Sequence, residues 1–266
     1  MKNGFGIFLA AFIALDLSWC GFVLAPVKQL STAKQTQVLN STDIYPIGRP
    51  GEANQGLQAY RASGCAACHT EQVRQDGVAC EVVLTSTGKN PAVVSNLVST
   101  LKLAGLTKEE ADTTSDKITA AGGKVETHIA PVGVDIPHWG VRRSVAGDFL
   151  YDYPVQLGSL RAGPDLANVG ARLPDANWQL VHLYAPQAVV KNSAMPPFRF
   201  LFEVRVRKIG DAPSPDALKF PKDFPPPAGC EVVPKPEAKQ LAAYLMSLRA
   251  DAPLYEAPFT PVMTKP

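Results

Sequence analysis

Five consecutive residues, Cys65-Ala66-Ala67-Cys68-His69, concentrate more chemistry than any other stretch of this chain. Two thiols separated by two residues, with an imidazole directly after the second, have the spacing at which both sulfurs add across the vinyl groups of one haem while the histidine takes the iron. Two intervening alanines let the backbone turn, so that both sulfurs reach the same porphyrin edge. The same five letters also fit a redox dithiol or half of a zinc site. A structural zinc would want a second ligand pair at similar spacing, which the sequence lacks. A thioredoxin-like dithiol would want a βαβ setting, also missing. Covalent haem is the favoured chemistry, with Cys65 and Cys68 forming the thioethers and His69 the proximal iron ligand.

A second axial ligand is expected on the opposite side, and Met195 is the candidate. It stands in Asn192-Ser193-Ala194-Met195-Pro196-Pro197, where the following prolines stiffen the loop enough to hold a thioether without a helix behind it. Met1 is at the wrong end, Met246 falls in a helix that should pack, and Met263 is in the tail. His/Met ligation leaves no open position for oxygen or peroxide and suits electron transfer. Gly163-Pro164-Asp165-Leu166 is the other recognisable piece. In class I cytochromes c the proline carbonyl of such a turn meets the free nitrogen of the haem histidine, which assigns Pro164 the task of orienting His69. His128 and His138 read as surface histidines, and His182 as a packing or hydrogen-bonding residue with axial ligation as the alternative.

These residues need elements to place them. The chain has 266 residues, enough for one sizeable domain with additions, and its formal charge of +2 shows no basic run of the kind that binds nucleic acid. Its 24 prolines predict extensive loops. Gly4 to Val27 is apolar over about the twenty residues a bilayer needs, interrupted by Asp16. No small-x-small cleavage site follows it, and Trp19 before Cys20 argues against a lipoprotein, so an uncleaved anchor is expected. Asp16 would face other helices or the interface. Flanking charge leaves topology ambiguous, whereas covalent haem attachment, which occurs outside the bacterial cytoplasmic membrane, places the globular part in the periplasm.

Lys28 to Pro50 reads as a polar tether, and Glu52 to Ser63 as a helix stopped by Gly64 just before the cysteine motif. Between 77 and 137 the pattern changes. Glu81 to Thr85 suits a strand, Asn90-Pro91 starts a helix, and Thr107-Lys108-Glu109-Glu110 is a capping box opening another helix that stops at Gly122-Gly123. Lys124 to Ile129 then alternates as a strand, giving a β-α-α-β insert. Asn177 to Tyr184 and Pro236 to Leu248 are helices, the latter with apolar residues at helical spacing. Ala250 to Pro266 reads as a loose tail. Cys80 and Cys230, left over, are candidates for a disulfide clipping the insert to the loop before the last helix.

Together, the N-terminal span, Gly64 to Arg74, Gly163 to Gly170 and Met195 to Leu201 resemble the monohaem cytochrome c subunit (subunit II) of cbb3-type cytochrome c oxidases. The resemblance implies a mainly α class I cytochrome c fold with an N-terminal transmembrane helix, and the small β-α-α-β insert departs from its pattern. The chain then divides into an anchor (1–27), a periplasmic tether (28–50), a cytochrome domain in two parts (51–76 and 138–249), the insert (77–137) and the tail (250–266). It implies one covalent haem c and a single-pass protein of the bacterial inner membrane. Its partners would be the haem-copper catalytic subunit and other cytochrome c subunits or carriers, to which it passes single electrons without being catalytic itself. Arg74, Arg142 and Arg161 become candidates for pairing with haem propionates, or docking charges. An independent tethered shuttle, or a haem sensor or peroxidase, are the competing functions; a dihaem peroxidase would need a second such motif, which is absent.

Overall fold

The apolar N-terminus forms a helix, α1 (Gly4–Ser31), in this computed structural model, which describes residues 4–208 and 212–260. Its most apolar window has a mean hydropathy of 2.2, and none of that window is buried within the chain. At about 1.5 Å per residue the helix exceeds the roughly 30 Å of a bilayer's hydrocarbon. The sequence expectation ended it at Val27; it continues past Pro26 because Cys20–Leu24 adopts the wider π winding. The Ala25 N–H bonds back to Cys20 O, and this slack accommodates a ring that would otherwise strike the preceding turn.

The segment expected to be a free tether is docked. Thr36–Gln37 (β1) pairs with Ile44–Tyr45 (β2). Tyr45 buries its ring with Val145, Leu254 and Ala257, and its hydroxyl donates to Arg249 O at 3.1 Å. Arg49 pairs with buried Asp152 and lies over the Tyr244 ring at 5.2 Å. An aromatic with a satisfied hydroxyl, followed by a paired guanidinium, is enough to hold this stretch down.

Two helices at opposite ends of the chain make the main core. Gly51–Ala62 (α2) buries Ala53, Gly56, Leu57 and Tyr60, a face set by helical spacing, and ends before Gly64 at φ +71. It packs on the last helix through Gly56, where an added Cβ would lie 1.9 Å from Gln240 O. Only glycine lets the two backbones approach so closely. Tyr60 and Tyr244 meet beside this contact, ring centroids 5.2 Å apart.

The stretch after the cysteine motif folds around its own small core of Val82, Val94, Leu106, Ala111 and Ile118. Gly77–Ser86 (β3) pairs antiparallel with Lys124–Val132 (β4), in one register from Gly77 opposite Val132 to Leu84 opposite Val125, with a bulge before Ser86 meets Lys124. Pro91–Thr100 (α3) and Lys108–Ala120 (α4) lie between them in the chain. Thr107 accepts from Glu110 N at 3.3 Å and Glu110 accepts from Thr107 N at 2.9 Å, so both halves of the capping box are made. Asn90 precedes α3 without a side-chain cap bond. Both strands extend beyond their expected bounds, because the hairpin continues to the point where the chain re-enters the main domain.

Two short helices follow, Val169–Arg172 (α5) and Ala176–Tyr184 (α6), the second capped by Asp175, whose carboxylate accepts from Asn177 N at 2.9 Å. A hairpin the sequence reading did not foresee joins Phe202–Val206 (β5) to Cys230–Pro234 (β6). Pro236–Ser247 (α7) closes the core with Leu241, Tyr244 and Leu245.

The tail is not loose as far as residue 260. Ala250, Leu254 and Ala257 are buried, and Thr260 N donates to Ile129 O at 2.9 Å, binding the tail to the edge of β4. The remainder of the expected tail, 261–266, lies outside the described residues. Cys80 and Cys230 are free thiols, contrary to the disulfide expectation. Cys80 belongs to the periphery of the insert's core and bridges Leu106, whereas Cys230 pairs with Val206 in the β5–β6 hairpin.

Candidate haem site

Gly64, in the left-handed region, turns the chain out of α2 into a short 3-10 turn at Cys65–Ala67. Backbone bonds from His69 N and Cys68 N to Cys65 O, at 3.0 and 3.1 Å, fix the two cysteines and the histidine on one turn. A loop 90 residues onward lies against this turn. Ser159 N donates to Ala66 O at 3.1 Å, Gly163 N to Cys68 O at 2.9 Å and Leu166 N to Thr70 O at 2.7 Å. The motif is thus held through its backbone, leaving its side chains available.

His69 Nδ1 stands 2.8 Å from Pro164 O. That bond requires a proton on Nδ1, so the lone pair of Nε2 is the one left to bind a metal. Gly163 passes directly over the ring: a Cβ there would lie 2.3 Å from His69 Cε1. Asp165, fully buried, accepts from Thr70 Oγ1 at 2.6 Å, Gln72 N at 2.8 Å and Ala167 N at 2.9 Å, tying the proline loop to the residues after the histidine. The sequence reading quoted Asp165 only as part of the turn; its position directly after the proline was the available signal.

Cys65, His69, Pro164 and Met195 line one cleft, with Leu241 and Leu245 of α7 among its apolar walls. Met195 N bonds to Ser193 Oγ at 3.3 Å, and Phe198 N to Leu183 O at 2.8 Å, which anchors the proline-stiffened loop to α6. Cys68 is exposed and lies outside the lining. Burial pushes the Cys65 thiol up to about 12, the opposite of what an activated redox dithiol needs. A larger hollow of about 750 Å³ lies elsewhere, between residues 42–50, 148–152 and 247–252, and holds none of the four residues that share the first cleft.

The arginines expected near the haem are engaged elsewhere. Arg161 Nη1 reaches both oxygens of Asp135 at 2.7 Å, its Nε donates to Thr70 Oγ1 at 2.8 Å, and its guanidinium lies over Trp139 at 5.1 Å. Arg74 holds the same carboxylate through its backbone N–H, at 2.7 Å, and its Nε, at 3.1 Å. Burial alone would raise the Asp135 carboxyl; the donors from Arg74 and Arg161 outweigh it and bring it down to about 2. Arg142 is completely buried and spends its guanidinium on Asp148 and backbone carbonyls. None of the three lines the cleft, so they brace the fold around it. His128 pairs with Glu126 on the insert and His138 sits beside Trp139, both away from the cleft.

Two further groups, Glu71 and Arg172, were given no role by the sequence, and His182 lies closer to the site than a packing role implies. Glu71 is buried with both carboxyl oxygens 3.0 Å from Tyr244 Oη, and burial pushes it up to about 7 despite that donor. Arg172 and His182 line the cleft itself. His182 lies flat on Trp178, centroids 4.9 Å apart and planes 11° apart, while burial and then the nearby His69 lower its proton affinity.

A haem fits what these residues offer: a thiol and an imidazole on one turn, a thioether in the same lining, apolar walls, and two buried nitrogens, Arg172 Nε and His182 Nδ1, without a partner among the described residues. Residues 126–214 match the family described as cytochrome C oxidase, mono-heme subunit/FixO. Over that stretch the chain is similar to the mono-haem oxidase subunit family. The matched residues cover about a third of the chain. They begin within β4 and take in Pro164 and Met195, whereas the motif at 65–69 lies upstream, across the insert. No curated protein matches the chain.

Proposed function

We propose that this chain is a mono-haem, membrane-anchored, periplasmic electron carrier that passes electrons one at a time to the haem-copper catalytic subunit of a cbb3-type oxidase. The observation that carries the reading is the convergence of Cys65, His69 and Met195 on one cleft, with the His69 ring fixed by Pro164 O at 2.8 Å. Cys65 and Cys68 would form the thioethers, and His69 and Met195 the two axial bonds. Haem c held by these residues would supply a one-electron centre, and two protein ligands to its iron would favour electron transfer over oxygen chemistry. The protein's own work is to hold those ligands still between two oxidation states. Pro164 fixes the imidazole, the 192–198 loop fixes the thioether, and Leu241 and Leu245 keep water out. Helix α1 supports a single-span anchor that would keep the domain beside its acceptor.

The full-length chain, matured in a host that attaches haem c and purified in mild detergent, tests this. The expected product carries covalent haem with a six-coordinate, low-spin reduced spectrum, and Met195→Ala abolishes the sulfur–iron charge-transfer band while the haem stays attached. A colourless protein, or a five-coordinate wild type, would overturn the reading. Co-migration with a haem-copper subunit separates the oxidase role from an independent tethered shuttle, which would run alone.

A further inference from the structure

A carboxylate stands inside the helix that anchors the chain. Asp16 lies near the middle of α1, twelve residues after Gly4 and fifteen before Ser31. It is exposed, as is every residue from Gly4 to Ala25, so nothing elsewhere in the described chain covers it. Lys28, the nearest cation along the described helix, is twelve residues on, or about 18 Å. A charged group in hydrocarbon is costly, and such residues almost always face a partner helix or a watery cavity between helices.

Two ways of escaping the lipid fail. From Asp16 to Leu24, at the far end of the apolar run, is eight residues, or about 12 Å, beyond the reach of so short a side chain. Sliding the helix until Asp16 met the headgroups would leave Leu17, Trp19, Phe22, Val23 and Leu24 in water. The carboxylate therefore stays at depth and needs a partner there. Phe12, Ile13, Trp19 and Cys20, at i−4, i−3, i+3 and i+4, surround it with apolar surface and bring no opposite charge. A helix seated on this face would pack against Phe12, Ile13 and Trp19 and would have to supply the counter-charge itself. In a dry setting a cation with N–H donors is what offsets a carboxylate. We propose that α1 docks through Asp16 on a membrane helix of a partner subunit that carries an arginine or lysine at the same depth. This rests on the anchored-subunit reading above and adds a contact residue that neither the haem motif nor its ligand set specifies.

The test uses the full-length chain, produced together with the haem-copper subunit in a host that attaches haem c. Wild type, Asp16→Leu, Asp16→Glu and Asp16→Lys are compared by three readouts. These are resistance to carbonate extraction, covalent haem per chain, and the fraction that co-migrates with the haem-copper subunit in mild detergent. Haem loading is expected to be alike in all four, because no residue of α1 lines the cleft. Asp16→Leu should stay in the membrane while its co-migrating fraction falls about tenfold. Asp16→Glu should keep most of the complex, and Asp16→Lys, which sets two cations side by side, should lose nearly all of it. Wild-type co-migration in both Asp16→Leu and Asp16→Lys would overturn the proposal. A wild-type homodimer that Asp16→Leu breaks would overturn it as well, since a second copy brings another Asp16 and no cation. If Asp16→Lys fails to insert, Asp16→Leu and Asp16→Glu decide by the same readouts, and equal co-migration of the two counts against it. Wild type released by carbonate would sink the anchor and the proposal with it. A membrane-bound wild type that runs alone would sink the oxidase reading, so these failures are distinct from a silent Asp16.

Discussion

Asp135 carries more of the site's rigidity than its distance in sequence suggests. It is 1% exposed and accepts from Arg74 and Arg161, and Arg161 also holds Thr70, the residue after the proximal histidine. Replacing it with asparagine leaves Arg161 without its main counter-charge, and should cost about 2–4 kcal/mol in denaturant unfolding. The sign of its pH dependence follows from a folded-state pKa depressed to about 2 from 3.8. Its contribution, about 2 kcal/mol, is complete above pH 4 and fades as pH falls from 4 toward 2. Wild type should therefore lose stability over that window more steeply than Asp135→Asn, and parallel acid titrations would refute this assignment. Gly163 is the second test at this scale. Alanine there must displace the His69 ring, since its Cβ would lie 2.3 Å from Cε1 and 2.7 Å from Nδ1. The expected result is attached haem with a raised high-spin fraction in the ferric spectrum; an unperturbed spectrum would show that the loop yields instead.

At the level of elements, local signals were legible and distant pairings were not. The capping box at Thr107, the glycine stop at Gly64 and the apolar rhythm of α7 act over a few residues, so the sequence alone locates those helix ends. The proline turn could be matched to the histidine only through the resemblance to class I cytochromes c, in which the two meet. The arginine partners could not. Arg74 and Asp135 are 61 positions apart, and Glu71 and Tyr244 are 173 apart, with nothing in the spacing to join them. The β5–β6 hairpin escaped notice because a long proline-rich connection separates its strands. Helix packing offers a clean measurement. Gly56→Val forces a side chain into Gln240 O and the Tyr244 Cβ, and should destabilise the domain by about 3 kcal/mol or more. Thr107→Ala removes one cap bond and should cost only about 1 kcal/mol. Equal effects of the two changes would contradict the difference between a core crossing and a peripheral cap.

Across the whole molecule, the insert is the feature most nearly separable from the rest. It has its own core, and its strands leave and re-enter the main domain opposite one another, Gly77 facing Val132. The match to the mono-haem family begins inside its second strand, so the family's pattern needs little of it. Its ties to the remainder are local: Thr260 on Ile129, and the Asp135 clamp just beyond the hairpin. Replacing residues 78–131 with an Asn-Gly turn keeps Asp135, Arg74 and Arg161 and joins two chain ends that are already neighbours. The shortened chain is expected to bind covalent haem with an unchanged reduced spectrum and midpoint potential. The 250–260 segment should become more susceptible to proteolysis, because its hydrogen bonds to Ile129 go with the hairpin. Loss of haem, or a shifted potential with the clamp residues still in place, would mean that the insert shapes the cleft directly, and that its separate core is not a separate function.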